Sequence, residues 1–444
     1  MVQNQFRDTE ARECLSTYAA EHGEDLAMRL YTSRLLGGDR ELVLHGGGNT
    51  SVKETRIDRL GHELEVLAVK GSGCDLQHLE PSGLPALALA PLLELLQLES
   101  IADDDLVNEL RRNMLDSRAP NPSVETLLHA AIPHKFVDHT HADALLVLSN
   151  QPDGADLIRA ALGDRVTVLD YVQPGFPLAK AVAQAFAAKP SVEGIVLLHH
   201  GLFTFGDDAR TSYERMIDLV HTAEEFAEQR IAERTKAQPD GVARMTEGPD
   251  VDHAALAAEA ARLIPNVRGA FAIPVGETGY RRMLCSWRGA EELVRISSHA
   301  DCARLVAMGP MTPDHVIRTS GSYVYLTREE AADPAACREA VAAFVDRYRA
   351  YFDAHKGRLA TEPSMLDGYP RVAIVEGLGA LAFGETHQAA TIAGDIAEQT
   401  LRGKASAEAL GSFAELPPAQ LFDMEYWPLE RAKLGEGQAS VLGG

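Results

Sequence analysis

Two short β-rich runs, Phe136-Val-Asp-His-Thr-His141 and Ile195-Val-Leu-Leu-His-His200, each end in a pair of histidines, and this limits what the chain can fold into. Side chains alternate between faces along a strand, so His139 and His141 share one face. Of the adjacent His199 and His200, only one can turn to a given side. Two neutral imidazoles side by side are half of a tetrahedral zinc site. A third nitrogen from the second strand leaves one position open, which is the pattern of a catalytic metal and not of a structural one.

Further β-rich runs at 41–44, 63–70 and 167–172 alternate with helical spacing at 10–21, 24–36, 84–98, 105–114, 124–131, 178–189 and 209–235. This mixture predicts an α/β (α+β) domain around one central sheet. The polar segment 236–252, with two prolines and two glycines, is the expected linker. It divides the chain into a first domain over 1–235 and a second, smaller α/β domain over 253–444. In the second domain we expect helices at 254–263 and 335–355, and strands at 270–273, 292–297, 322–326 and 371–375. Arg371–Gly384 repeats the order of Gly194–Gly206: strand, Gly-Leu turn, Phe-Gly, helix. It carries Glu376 and no histidine in place of His199-His200. As a repeat, this pattern makes the C-terminal half a degenerate copy that kept the fold and lost the metal.

Charge narrows the partners. The 444 residues carry 42 Lys and Arg against 65 Asp and Glu, a net charge of −23, which argues against nucleic acid and anionic membrane surfaces. An anionic ligand would have to be held locally. No run of eighteen apolar residues and no charged-then-apolar leader is present, so a cytoplasmic protein is expected. The five cysteines lack CxxC spacing, which suits reduced thiols.

Asn121-Pro-Ser-Val-Glu125 reads as a helix start, with Glu125 in the first turn near the positive end of the dipole. A carboxylate aimed into a metal cleft can move a proton at carbon beside a polarised carbonyl. His129 and His134, on the same helical stretch and its exit, are read as packing or surface residues. Two glycine-rich segments, 44–51 and 70–74, each follow a strand. Their backbone N–H groups can converge on an anion, with Asn, Ser and Thr as neutral donors. Neither is a Walker loop or a GxGxxG fingerprint. The Gly377-Leu-Gly-Ala-Leu-Ala-Phe-Gly384 segment lacks the fingerprint's third glycine, which disfavours a nucleotide-binding dehydrogenase.

In this order, GGGNTS (46–51), GSG (71–73), PSVE (122–125), HTH (139–141) and HHG (199–201) resemble the class II aldolase/adducin family over roughly residues 20–235. The resemblance implies a central, mostly antiparallel sheet flanked by helices, and a zinc-dependent sugar-phosphate aldolase or epimerase, homo-oligomeric and tetrameric. It further implies that His139, His141 and His200 hold the metal, that Glu125 is catalytic, and that Asn49, Ser72, Gly73 and Ser123 contact the substrate phosphate. The C-terminal half and the run from Asp423 to Gly435 resemble the aldolase portion of fused rhamnulose-phosphate aldolase/short-chain dehydrogenase proteins, in which the dehydrogenase would begin where this chain ends.

Two departures touch the phosphate loops: Gly46 stands where the family often has a hydroxyl, and Val124 replaces the second serine of Ser-Ser-Glu. The family's proton-donating tyrosine has no motif here; Tyr171 is the nearest candidate. The expected reaction is reversible cleavage of a ketose 1-phosphate to dihydroxyacetone phosphate and an aldehyde. Alternatives are 4-epimerisation, dehydration or decarboxylation on the same site, and a non-catalytic adducin-like assembly domain. Zn²⁺ is the expected metal, with Co²⁺, Mn²⁺ or Fe²⁺ compatible with the same ligands.

Overall fold

The structure, a computed structural model, describes residues 1–237, 245–359 and 362–431. They fold as two compact units. The first comprises 1–149, 153–228 and the described residues from 428; the second comprises 150–152 and 229–427. Most of the expected linker, 238–244, lies outside the described residues. No helix among the described residues is long and apolar enough to cross a membrane.

The first unit is built on β1 (Asn49–Ile57), β2 (Glu63–Val69), β3 (Ala86–Ala88), β4 (Phe136–Thr140), β5 (Val166–Leu169), β6 (Gly194–Leu197) and β7 (Gly201–Gly206). They form one sheet in the order β3-β2-β1-β4-β7-β6-β5, and every neighbouring pair is antiparallel except β5 with β6. Alternating apolar side chains bury both faces. Leu67, Val69, Val137, Ile195 and Phe203 pack with Leu127, Leu128, Leu178 and Val182 of helices Thr126–Ala131 and Phe176–Ala188. Val52, Ala68 and Phe136 pack with Leu26 and Leu30 of helix Glu24–Gly38. The strand directions bring the start of β1 and the ends of β2, β4, β5 and β6 to one end of the sheet.

Four expected elements differ. The strand expected at 270–273 begins only at Ile273, because helix His253–Ala270 continues beyond the expected 254–263. Residues 41–44 form a turn, because Asp39 accepts from the N–H groups of Glu41, Leu42 and Val43 through its side chain and carbonyl. The apolar run 84–98 is split: Ala86–Ala88 pairs with β2 before helix Leu89–Leu95 begins. Residues 292–297 lie in helix Glu291–Ser298, whose Leu293, Val294 and Ile296 are buried. Apolar residues at positions 2, 3 and 5 of a short run fit either period, and tertiary burial chose the helix.

The second unit contains β8 (Ile273–Val275), β9 (Gly279–Arg281), β10 (Leu284–Arg288), β11 (Val324–Leu326), β12 (Val372–Val375) and β13 (Gly379–Gly384). β8 and β9 make a hairpin, and the other four make a sheet in the order β10-β13-β12-β11. This sheet has the directions of β4-β7-β6-β5: antiparallel, antiparallel, parallel. The succession also agrees. β4 is followed by helices Asp143–Ser149 and Gly154–Leu162, and β10 by Glu291–Ser298 and Cys302–Ala307. Helices Ala209–Ala237 and His387–Leu410 each begin three residues after the Phe-Gly that ends β7 or β13.

In both units a three-residue turn joins the hairpin, closing Leu197 on Gly201 and Val375 on Gly379. His199 and Gly377 hold the same turn position, with φ of 61° and 62°. By this register Leu378 corresponds to His200, Trp287 to His139 and Gly289 to His141. The glycines of Gly377-Leu-Gly379 thus make a turn between antiparallel strands. A dinucleotide fingerprint needs a strand-to-helix turn, which this is not.

Candidate active site

His139 and His141 project from the end of β4 and just beyond it, and His200 sits in the turn that follows β6; all three are buried. The turn works because Gly201 has no side chain: a Cβ there would lie 2.2 Å from the carbonyl oxygen of Thr140. Without that contact β7 could not pair closely with β4 where the HTH motif ends. Gly48 is the second required glycine. It has a φ of +58°, and a Cβ would lie 2.6 Å from the His139 carbonyl oxygen. The 46–48 loop thereby reaches the backbone of the ligand strand.

Among the described residues, His139, His141 and His200 are the one group of His, Cys or carboxylate side chains whose ligand atoms cluster as a metal requires, all within 4.8 Å of one another. The Nε2 atoms of His139 and His141 are 3.0 Å apart. His139 donates from Nδ1 to the Leu202 carbonyl at 3.1 Å, which leaves Nε2 as the lone-pair nitrogen facing the cluster. Its ring lies flat on Phe203, with centroids 3.9 Å apart and planes inclined by 8°. Three neutral imidazoles of this geometry fit a divalent transition metal with an open position. His199, by contrast, donates its backbone N–H to Ser149 Oγ, and burial pushes its imidazole below the usual range.

Glu125 immediately precedes helix Thr126–Ala131 and is buried. Its Oε2 is 3.6 Å from His139 Nε2 and its Oε1 is 3.8 Å from His200 Nε2. The carboxylate therefore stands over the imidazole cluster. Asn49, the first residue of β1 and paired with His139, donates from Nδ2 to Glu125 Oε2 at 2.6 Å and to Ser123 Oγ at 3.2 Å. Ser123 Oγ also accepts the N–H of Glu125. Ser72 is half-buried and Gly73 exposed, on the rim of the same end of the sheet.

Three loops are tied together here. Lys70 donates from Nζ to the carbonyls of Gly46 and Cys74, both at 2.8 Å, and Ser72 N and Ser123 N bond to the carbonyls of Asn121 and Lys70. Tyr171 lies half-buried in the irregular segment after β5, at the end of the sheet that also carries the histidines.

Sequence reasoning missed two residues. Lys53 donates from Nζ to the carbonyls of His129, Ile132 and His134 at 2.7, 2.7 and 3.0 Å, closing the end of the helix that follows Glu125. Burial pushes its pKa down to about 7. His129, read as packing, is fully buried and bonded to both Ser51 and Asn49. Its four-residue spacing from Glu125 was the available signal, since positions i and i+4 share a helix face.

Residues 29–226 match the class II aldolase and adducin N-terminal domain, and residues 258–434 match the second domain of class II aldolases. The chain belongs to the class II aldolase and adducin family. It is 30% identical over 424 residues to the uncharacterized oxidoreductase YuxG of Bacillus subtilis (strain 168); the match covers 94% of this chain and 59% of YuxG, so this chain spans about three fifths of that curated relative. Among solved structures, it resembles the N-terminal class II aldolase domain of a conserved protein from Thermoplasma acidophilum, at 41% identity. That match covers 51% of this chain and 99% of the other, with a TM-score of 0.46. It also resembles L-fuculose-1-phosphate aldolase from Thermus thermophilus, at 19% identity over 49% of this chain and 100% of the other, with a TM-score of 0.30. This class II aldolase-family chain carries its buried histidine triad within the part matched by the N-terminal domain.

Proposed function

We propose that this chain is a metal-dependent aldehyde-lyase that cleaves a ketose 1-phosphate reversibly to dihydroxyacetone phosphate and an aldehyde. The observation that carries the proposal is Glu125, whose two carboxylate oxygens lie 3.6 and 3.8 Å from ligand nitrogens of a buried three-histidine cluster. His139, His141 and His200 would hold the ion, with Zn²⁺ the preferred occupant. A divalent ion held there supplies a Lewis acid for the substrate carbonyl. In the synthetic direction Glu125 takes the proton from the carbon of dihydroxyacetone phosphate, and in cleavage it returns one to that carbon. Asn49 holds the buried carboxylate through its amide. Ser72, Gly73 and Ser123 are the neutral donors we assign to the phosphate; Asn49, whose two amide hydrogens go to Glu125 and Ser123 here, joins them by releasing Ser123 while it keeps Glu125. Tyr171 is our candidate for protonating the aldehyde oxygen. The whole works as a cytoplasmic homo-oligomer in this proposal, a setting consistent with five free cysteines.

A 4-epimerase, dehydratase or decarboxylase could use the same site. One assay separates them: ketose 1-phosphates are incubated with and without chelator, and triose phosphate is measured. Chelator-sensitive release supports the lyase. Turnover without triose phosphate transfers the assignment to the other reactions. Metal-free protein with no turnover supports an adducin-like assembly role.

For organisation we propose a catalytic domain over 1–235, a linker over 236–252 and a second domain over 253–444. The second domain we read as a degenerate copy, supported by the shared strand order and by the exchange of His139, His141 and His200 for Trp287, Gly289 and Leu378. Trp287 Nε1 donates to the Leu378 carbonyl at 2.9 Å, and a Cβ on Gly289 would lie 2.3 Å from the indole. The indole thus takes the space that the imidazoles need. The oxidoreductase in the name of YuxG we assign to the part of that protein outside the match.

A further inference from the structure

Behind Glu125 lies a chain of buried polar groups whose hydrogen positions follow from one another. Ionised Glu125 only accepts, so the Asn49 group facing it at 2.6 Å must be the amide nitrogen. The Asn49 carbonyl oxygen then faces His129, which must donate to it from Nε2. A neutral His129 with its proton on Nε2 has a lone pair on Nδ1, and Ser51 Oγ, 2.8 Å away, supplies the hydroxyl proton. Ser51, His129 and Asn49 are all buried, and burial holds the His129 imidazole well below its usual pKa. The ring is fixed from the side by Phe203, edge to face at 5.9 Å between centroids.

We propose that His129 is a positioning residue: its Nε2–H locks the rotamer of the Asn49 side chain, so that the amide nitrogen, and not the oxygen, meets Glu125. An Asn amide alone has two orientations of nearly equal shape. The wrong one sets a carbonyl oxygen against a carboxylate, and the carboxylate turns away from the imidazole cluster. In this arrangement Ser51 Oγ donates to Nδ1 and so supports the tautomer with the proton on Nε2, and that Nε2–H fixes which Asn49 atom faces the site. This inference rests on the reading of Glu125 as the residue that moves the proton at carbon.

The test compares His129→Leu, which fills the space without a donor, with His129→Gln, whose amide nitrogen can reach the position of Nε2. Two measurements are made on each. The first is solvent deuterium exchange into dihydroxyacetone phosphate by the zinc-loaded protein. His129→Leu should lower the maximal exchange rate by about a hundredfold with a nearly unchanged KM, and His129→Gln should restore most of it. The second is the side-chain amide signal of Asn49 in ¹⁵N-labelled protein, assigned by its loss in Asn49→Ala. It should be protected from solvent in the wild type and in His129→Gln, and unprotected in His129→Leu.

Wild-type exchange in His129→Leu, an equal loss in both variants, or an Asn49 signal that ignores the substitution would each overturn the proposal. If the wild type itself exchanges no proton, the lyase reading has failed, and the amide signal alone decides the relay. Should His129→Leu fail to fold, Ser51→Ala replaces it. Loss of the hydroxyl leaves the buried His129 Nδ1 without its donor and weakens the tautomer that points Nε2–H at Asn49, and the exchange rate should fall about tenfold. An unchanged rate and an unchanged Asn49 signal in Ser51→Ala would overturn the proposal.

Discussion

Trp287 stands opposite Leu381 across β10 and β13 as His139 stands opposite Phe203 across β4 and β7. One strand position thus carries an imidazole in the first unit and an indole in the second. The expected metal content follows: one equivalent of zinc per chain in the wild type, below about a tenth of an equivalent in His139→Ala, and one equivalent in Trp287→Phe. Elemental analysis of proteins purified without chelator checks it. Two equivalents in the wild type, or full occupancy in His139→Ala, would contradict the assignment of the ligands.

Glu125→Gln separates metal holding from proton transfer. Gln is close in shape to Glu and is not required for the triad, so zinc content should stay at the wild-type level. Cleavage should fall by about 10² to 10⁴-fold, the usual contribution of a positioned acid or base. Loss of the metal along with the activity would make Glu125 a ligand instead.

Gly201→Ala should be costly for a reason that has nothing to do with chemistry. The new Cβ meets the Thr140 carbonyl oxygen at 2.2 Å, and β4 and β7 must part next to His139 and His141. We expect a loss of more than about 2 kcal/mol in urea unfolding together with weakened zinc binding. Gly38→Ala, where a Cβ meets nothing within 4 Å, should stay within about 0.5 kcal/mol of the wild type.

Lys53 gives a pH signature. Its pKa is about 7 in the folded protein against an ordinary 10.5. Below 7 the folded and unfolded chains both carry the proton, and the cost of burying the ammonium is present in full. Between 7 and 10.5 the unfolded chain holds a proton that the folded chain has released, so folding stability rises with pH across this window. The stability of the wild type relative to Lys53→Met should therefore increase from neutral to alkaline pH. A difference that is flat in pH would contradict the burial of a titrating Lys53.

Much of the site was legible in local sequence, because strand alternation alone places His139 and His141 on one face and the Gly after His200 marks the turn. The glycine loops were legible as backbone devices. What could not be read was pairing at long range. That Asn49 lies in register with His139, 90 positions later, depends on β1 adding to β4. Without that pairing, Asn49 reads as one donor of a loop, and His129 as filler. Lys53 escaped for the same reason: nothing near it in sequence tells that three carbonyls 76 to 81 residues away lack partners. In the second unit, 292–297 was misread because a short apolar run carries no clear period, and the Gly-Leu matched between the two hairpins is out of step by two residues: Gly379, not Gly377, falls at Gly201, and Glu376 falls at Leu198 and not at a histidine.

The most direct measurement of the central claim needs no knowledge of the aldehyde. Zinc-loaded protein is incubated with dihydroxyacetone phosphate in D₂O, and exchange of the carbon-bound hydrogen beside the carbonyl is followed by NMR. The account predicts stereospecific exchange of one hydrogen, abolished by chelator, by His139→Ala and by Glu125→Gln, the last with its zinc retained. No exchange by fully zinc-loaded wild-type protein, or undiminished exchange by Glu125→Gln, would contradict it.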